Sequence, residues 1–65
     1  MSNSKITLYH SDGSVSKIVR GMEVSDSRLN SVIRDLNMLH ASTLGNEDKY
    51  TNSDGKTLYV NRIDA

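Results

Sequence analysis

The amino-acid sequence predicts a small α+β domain of order β-β-α-β-β, in which one helix packs on one face of an antiparallel sheet. Two observations predict it. The tripeptide Ser-Asp-Gly occurs near each end, each time between alternating strand-forming residues, and a stretch with helical spacing separates the two copies. Sixty-five residues make a single domain, 1–65, with frayed ends expected at 1–4 and 64–65.

The first hairpin is predicted to turn at Asp12-Gly13, because glycine accepts positive φ without steric cost. With these two residues at the centre of the turn, Ile6 is expected opposite Val19. Side chains alternate along a strand, so one face then holds Ile6, Leu8, His10, Val15, Lys17 and Val19, and the other holds Thr7, Tyr9, Ser16 and Ile18. A three-residue loop would break this parity.

The second Asp-Gly turn is treated in the same way. Pairing about it puts Leu58 and Val60 on the core face, and it pairs Tyr50 with Tyr59 on the opposite face. The strand before the turn, residues 48–52, is polar and short. It is therefore expected at the edge of the sheet.

The helix is predicted to begin after Ser25 as the N-cap, with Asp26 at the positive end of the helix dipole, and to end at Gly45. Its apolar stripe supplies much of the predicted core. That core consists of Ile6, Leu8, Val15, Val19, Leu29, Val32, Ile33, Leu36, Leu39, Leu58 and Val60.

The composition restricts both stability and function. Fifteen Ile, Leu and Val residues with no Phe or Trp leave little core material, so a homodimer or other homo-oligomer is expected. Eight basic and eight acidic residues balance, which disfavours nucleic acid as a partner. No apolar run suits a signal peptide or a membrane span, and cysteine is absent, so a cytoplasmic protein without disulfides is expected.

Candidate chemistry is sparse. An EF-hand loop built on Gly55 would need oxygen ligands at Tyr50 and a Glu at Asn61, so no calcium site is expected. His10 and His40 are the only histidines, and nothing in their spacing brings them together. Without a nucleophile motif or a phosphate loop, we expect no catalytic residue, no metal, no cofactor and no enzymatic activity.

The candidate site is a set of outward-facing strand residues. The predicted pairing puts every aromatic residue of the chain on the face away from the helix. Tyrosine is enriched in interfaces because it combines large contact area with a hydroxyl; it is also simply a good strand residue. The predicted partner-binding residues are Tyr9, Ile18, Tyr50, Tyr59 and Ile63. A second candidate surface on the helix consists of Arg28, Arg34 and Met38.

Three functions fit these features. The first is a protein-binding module that occupies a partner protein's surface; small, neutral, cysteine-free chains of this kind occur among phage and mobile-element accessory proteins that inhibit host factors. The second is a nucleic-acid binder that stacks bases on the sheet. The third is a homo-oligomer that sequesters a small ligand between subunits through tyrosine hydroxyls, Arg20 and Arg62.

Overall fold

Five antiparallel strands and one helix account for the ordered elements in residues 3–63, which are the residues that the computed structural model describes. The elements are β1 (Asn3–Tyr9), β2 (Met22–Ser25), α1 (Asp26–Asp35), β3 (Leu39–Leu44), β4 (Glu47–Thr51) and β5 (Thr57–Arg62). They form one sheet of order β2-β1-β5-β4-β3. The predicted α+β class and the β-β-α-β-β order are confirmed, with one further strand directly after the helix.

The start of β1 was expected to be frayed, but Asn3 and Ser4 belong to the strand, and Ser4 is only 2 % exposed. The other expected ends, residues 1–2 and 64–65, lie outside the described residues.

The first Ser-Asp-Gly forms a three-residue loop instead of the predicted two-residue turn. The His10 amide donates to the Ser14 carbonyl at 2.8 Å, and the Gly13 amide donates to the His10 carbonyl at 2.9 Å. Gly13 has a φ of 89°, as expected for a type I turn followed by a left-handed residue. Consequently Tyr9, and not His10, lies opposite Val15.

The returning chain then leaves β1 and rejoins it further on. Tyr9 lies opposite Val15, and Ile6 lies opposite Met22. These two pairs are three residues apart along β1 but seven residues apart along the returning chain. The four extra residues form the turn at 17–20. The predicted pairing of Ile6 with Val19 is therefore wrong. Val19 is partly buried and packs against the core from this turn.

The second Ser-Asp-Gly is also a three-residue loop, closed by a 3.2 Å hydrogen bond from the Asn52 backbone amide to the Lys56 carbonyl. The register consequently shifts by one residue from the prediction. Tyr50 lies opposite Leu58, and Tyr59 lies opposite Lys49. A one-residue shift turns a side chain to the other face of a sheet. The predicted Tyr50–Tyr59 pair is wrong, and the two rings lie on opposite faces.

The helix begins as predicted. Ser25 is the N-cap, its hydroxyl accepts a hydrogen bond from the Arg28 amide at 3.4 Å, and Asp26 lies in the first turn. From the β2 edge of the sheet, α1 carries the chain towards β3 at the opposite edge and packs on β2 and β1.

The helix ends ten residues before the predicted terminus at Gly45. Asn37 takes a left-handed conformation with a φ of 55°. The Met38 amide donates to the Ile33 carbonyl at 2.9 Å, and the Asn37 amide donates to the Arg34 carbonyl at 3.1 Å. These two bonds form a Schellman motif, which terminates helices and is usually built on glycine but sometimes on asparagine.

The residues predicted as the last turns of the helix form β3. Gly45, with a φ of 61°, lies in the tight turn between β3 and β4. β4 is internal, between β5 and β3, so the prediction that it is an edge strand is wrong. The edge strand on this side of the sheet is β3. Leu39 on β3 is 74 % exposed, although it was predicted to lie in the core.

The core lies between α1 and the sheet face beneath it. Its buried hydrophobic residues are Ile6, Leu8, Val24, Met38, Leu58 and Val60, with Val19, Met22, Leu29, Val32, Ile33, Leu36 and Tyr50 packed partly buried against them. Met22, Val24, Met38 and Tyr50 were missing from the predicted core, because their placement depends on the true register and on the early helix end. Val15 and Leu39 do not belong to it.

Candidate functional site on the open sheet face

The sheet face opposite α1 is not covered by any element among residues 3–63, and we call it the open face. Strand pairing arranges its side chains in rows that cross the sheet. The outward strand residues are Asn3, Lys5, Thr7, Tyr9, Glu23, Ser25, Leu39, Ser42, Leu44, Glu47, Lys49, Thr51, Thr57, Tyr59 and Asn61.

Two tyrosines occupy the middle of the open face. Tyr9 is on β1 and Tyr59 is on β5, and these two strands are neighbours near the centre of the sheet. Their ring centroids are 5.3 Å apart with an interplanar angle of 86°. This edge-to-face arrangement is favourable for aromatic pairs. Both rings are partly exposed, and they line a broad depression of about 720 Å³.

The charges on the open face are mixed. Lys5 lies opposite Glu23 on the neighbouring strand. Lys49 and Glu47 are two residues apart on β4 and share the open face. Two basic and two acidic side chains therefore surround the tyrosines on the strands. The electrostatic character of the face is balanced.

The two Ser-Asp-Gly loops meet at one end of this face. A Cβ built on Gly55 would lie 3.0 Å from Ser11 Cβ. Asp12 Oδ1 accepts hydrogen bonds from the Ser14 hydroxyl at 2.6 Å and the Ser14 amide at 2.9 Å. The Ser14 hydroxyl bond, followed by the amide bond, lowers the pKa of Asp12. The sequence repeat thus becomes a pair of adjacent loops.

Of the five predicted partner-binding residues, the structure brings Tyr9 and Tyr59 together on the open face. Ile63 follows β5, is 43 % exposed, and shares the open-face parity of Tyr59. Ile18 is 85 % exposed but lies in the turn at 17–20, away from the strand position that was predicted. Tyr50 is on the helix side, so its assignment to the outward face is corrected.

Tyr50 belongs to a different neighbourhood. It packs against the core, and its ring contacts His40 edge-on at a centroid distance of 5.4 Å. The outward position predicted for Tyr50 followed from a two-residue turn at Asp54-Gly55. The one signal that could have placed Tyr50 correctly is that Asp-Gly also suits a three-residue loop with glycine in the left-handed position. Such a loop turns Tyr50 to the helix side.

The second candidate surface is divided by the fold. Arg28 and Arg34 are exposed on α1. Met38 is only 5 % exposed and belongs to the core, so its assignment to a surface is wrong. The Schellman motif turns Met38 inward, whereas a continued helix would have left it at the surface.

A polar cluster lies on the helix side of the sheet, around Asp48. The Thr43 hydroxyl donates to Asp48 Oδ1 at 2.7 Å and lies 2.7 Å from His40 Nε2. Arg62 Nη2 is 3.7 Å from the same carboxylate oxygen. Arg62 therefore faces away from the Tyr9–Tyr59 pair, and one copy of the chain does not bring the tyrosine hydroxyls and this guanidinium to one face.

The two histidines lie apart, with His10 at the rim of the open face and His40 on the helix side. Over the part of the chain that the structure describes, His, Asp and Glu side chains do not gather in threes as a metal site requires. No helix within residues 3–63 has the length and apolar character needed to cross a membrane.

The open face thus carries a partly exposed aromatic pair surrounded by balanced charges. The chain matches no protein-family model, and no curated protein or solved structure matches it. The function is therefore inferred from the geometry of this face.

Proposed function

We propose that this chain is a non-catalytic protein-binding module that binds another protein through the open face. The observation that supports the proposal is the Tyr9–Tyr59 pair, held edge to face at 5.3 Å on adjacent central strands with no element above it.

The Tyr9–Tyr59 pair can form the centre of an interface at low entropic cost. Tyrosine has few rotatable bonds, so a large contact area is ordered at low cost, and each ring supports the other before a partner arrives. Thr7, Thr57 and Thr51 add methyl groups around the rings, and Lys5 and Glu47 form a polar margin. An aromatic centre with a polar rim is the usual composition of a protein interface.

The balance of charges favours a protein over a nucleic acid. Nucleic-acid affinity comes largely from basic side chains that neutralise phosphates. On the open face, Lys5 and Lys49 are matched by Glu23 and Glu47. Base stacking on Tyr9 and Tyr59 is the alternative function, and its strong dependence on salt would distinguish it.

In the proposed mode of action the module occupies a surface of its partner and blocks other contacts there. This is how a small inhibitor of a host factor, of the kind made by phages and mobile elements, would act. A chain without cysteine suits the reducing cytoplasm, where we place this activity.

The test is capture of partners from an extract of the source cells by four immobilised proteins: the parent, Tyr9→Ala, Tyr59→Ala and the helix-face control Arg28→Ala. A partner should bind the parent and the control alike. Removing one central tyrosine should weaken its binding at least about tenfold, which corresponds to about 1.4 kcal/mol or more. Far-ultraviolet circular dichroism should stay unchanged in all four.

Moderate salt should change the binding little. If the tyrosine variants bind the partner as the parent does, the open face is not the binding surface. If binding is lost on raising the salt and nuclease treatment removes the bound material, the partner is a nucleic acid.

The same proposal includes self-association, because the core is small for a chain that must fold alone. Among residues 3–63 six hydrophobic side chains are buried, and only Ile6, Leu58 and Val60 of these are fully buried. A second copy would cover apolar side chains that the monomer leaves exposed.

A further inference from the structure

We propose that β3 is the surface through which two copies of this chain associate. The two β3 strands pair antiparallel about a twofold axis, with Leu39 of one copy opposite Leu44 of the other. This inference rests on the proposed self-association and is independent of partner binding on the open face.

The edge strand β3 lacks most features that keep sheet edges apart. It pairs with β4 on one side only, and all six of its residues are exposed. Its sequence, LHASTL, contains no Lys, Arg, Asp, Glu or Pro. Unpaired strand edges without charge or proline readily accept another strand.

The opposite edge of the sheet is protected by comparison. β2 has only four residues, includes Glu23, and runs directly into α1 at Asp26. Short edge strands and charged side chains both discourage pairing. The sheet therefore has one edge suited to a second copy.

A β-bulge decides which face the exposed leucines occupy. The register shifts between His40 and Ser42, so Ala41 is the extra residue of β3. Leu39 lies opposite Thr51 and Leu44 lies opposite Glu47. Because 47 and 51 share one face of β4, both leucines project to the open face, whereas a regular strand would separate them.

The bulge makes β3 complementary to itself in one register. With Leu39 opposite Leu44 of the second copy, His40 lies opposite Thr43 of that copy. In each pair the two side chains lie on the same side of the sheet, the leucines on the open face and His40 and Thr43 on the helix side. A shift of one residue in either direction would set a leucine opposite a residue of the other face. The leucines, 74 % and 83 % exposed in one copy, then cover each other at both ends of the paired strands.

Pairing in this register continues the sheet from one copy to the next. The two open faces lie on the same side, since facing residues in antiparallel strands share a face. The dimer would therefore present two Tyr9–Tyr59 pairs on one surface. Self-association would double the binding area without covering it.

The experiment is sedimentation equilibrium of the full chain from about 10 µM to about 1 mM, a range that spans weak dimers. The parent should change from monomer to dimer within it. The double variant Leu39→Lys with Leu44→Lys should weaken dimerisation at least about a hundredfold, because each introduced lysine faces another. Leu39→Lys with Leu44→Glu should restore association, because opposite charges then face each other.

Ile18→Lys is the matched control, since it removes an equally exposed apolar side chain outside β3. Ile18→Lys should dimerise like the parent. Tyr59→Ala should do so too, and this result would show that dimerisation and partner binding use different surfaces. A parent that stays monomeric at every concentration overturns the proposal and means that the bulge turns this edge away from pairing. Equal weakening by Ile18→Lys overturns it too, and failure of the opposite-charge variant to associate rejects the register.

Discussion

The side-chain amide of Asn52 donates a 2.9 Å hydrogen bond to the backbone carbonyl of Leu36. Leu36 is the C-cap of α1, so this bond joins the end of the helix to the loop between β4 and β5. The Asn52 side-chain oxygen also accepts from the amides of Asp54 at 3.1 Å and Lys56 at 3.0 Å. One side chain thus shapes the second hairpin loop and ties the helix to it.

Asn52→Ala should lower the free energy of unfolding by about 1–3 kcal/mol, because it leaves partly buried backbone groups without partners. Asn52→Asp keeps the acceptor for the two loop amides but sets a carboxylate oxygen against the Leu36 carbonyl, so it should also be destabilising. Urea denaturation measures both. Asn61→Ala, on the open face, is the control and should change stability little; equal stability of all three variants would refute the role of Asn52.

Leu58→Ala should destabilise the protein by about 2–5 kcal/mol, because the side chain is fully buried and its removal leaves a cavity. A small domain has a total stability of the same order, so this variant should be largely unfolded near body temperature. Thermal denaturation followed by circular dichroism measures the effect. Ile18→Ala removes a similar side chain from an exposed turn and should melt with the parent; a Leu58→Ala variant that does so too would contradict the core.

Gly55→Ala should destabilise the fold more than Gly13→Ala. Both glycines have positive φ, and alanine there costs about 1–2 kcal/mol. Only the Cβ added at Gly55 meets Ser11, at 3.0 Å, whereas the space around Gly13 is open. Ser11→Gly should therefore recover the excess cost of Gly55→Ala but none of the cost of Gly13→Ala. A double-mutant cycle in urea measures this coupling, and additive effects would argue against contact between the loops.

Asp12 should titrate below its ordinary pKa of 3.8, because the Ser14 hydroxyl and amide both donate to its carboxylate. A lowered pKa means that the charged form is favoured by folding. The resulting stabilisation is complete above the pKa of the unfolded chain and is lost as the pH falls through the folded pKa. Ser14→Ala should raise the pKa towards 3.8, as measured by carboxyl-carbon NMR; an unchanged value would mean that the hydroxyl bond does not form in solution.

Several features were predictable because neighbouring residues determine them. Ser25 caps the helix with its own hydroxyl, and the hairpin glycines accept positive φ, whatever the rest of the chain does. Ile6, Leu8, Leu58 and Val60 were correctly placed in the core by alternation within their strands. The open-face positions of Tyr9 and Tyr59 follow from the same alternation.

The end of the helix was not predictable from apolar spacing. Leu39 continues the helical stripe, yet it lies on an exposed strand, because Asn37 stops the helix and β4 offers the following residues a hydrogen-bonding partner. Asparagine is a weaker terminator than glycine, so the local signal pointed to Gly45. Pairing of β3 with the next strand, β4, outweighed the local helical preference.

The sequence by itself therefore determined the fold class, the start of the helix, the sites of both hairpins and the central strand residues. Tertiary structure decided the loop size, and with it the face of Tyr50, because a difference of one loop residue costs little locally but reverses every side chain beyond it. It also decided that β3 forms an exposed edge and that the bulge at Ala41 brings Leu39 and Leu44 to one face. These features depend on how whole strands pair and pack within the sheet, which the preferences of single residues do not specify.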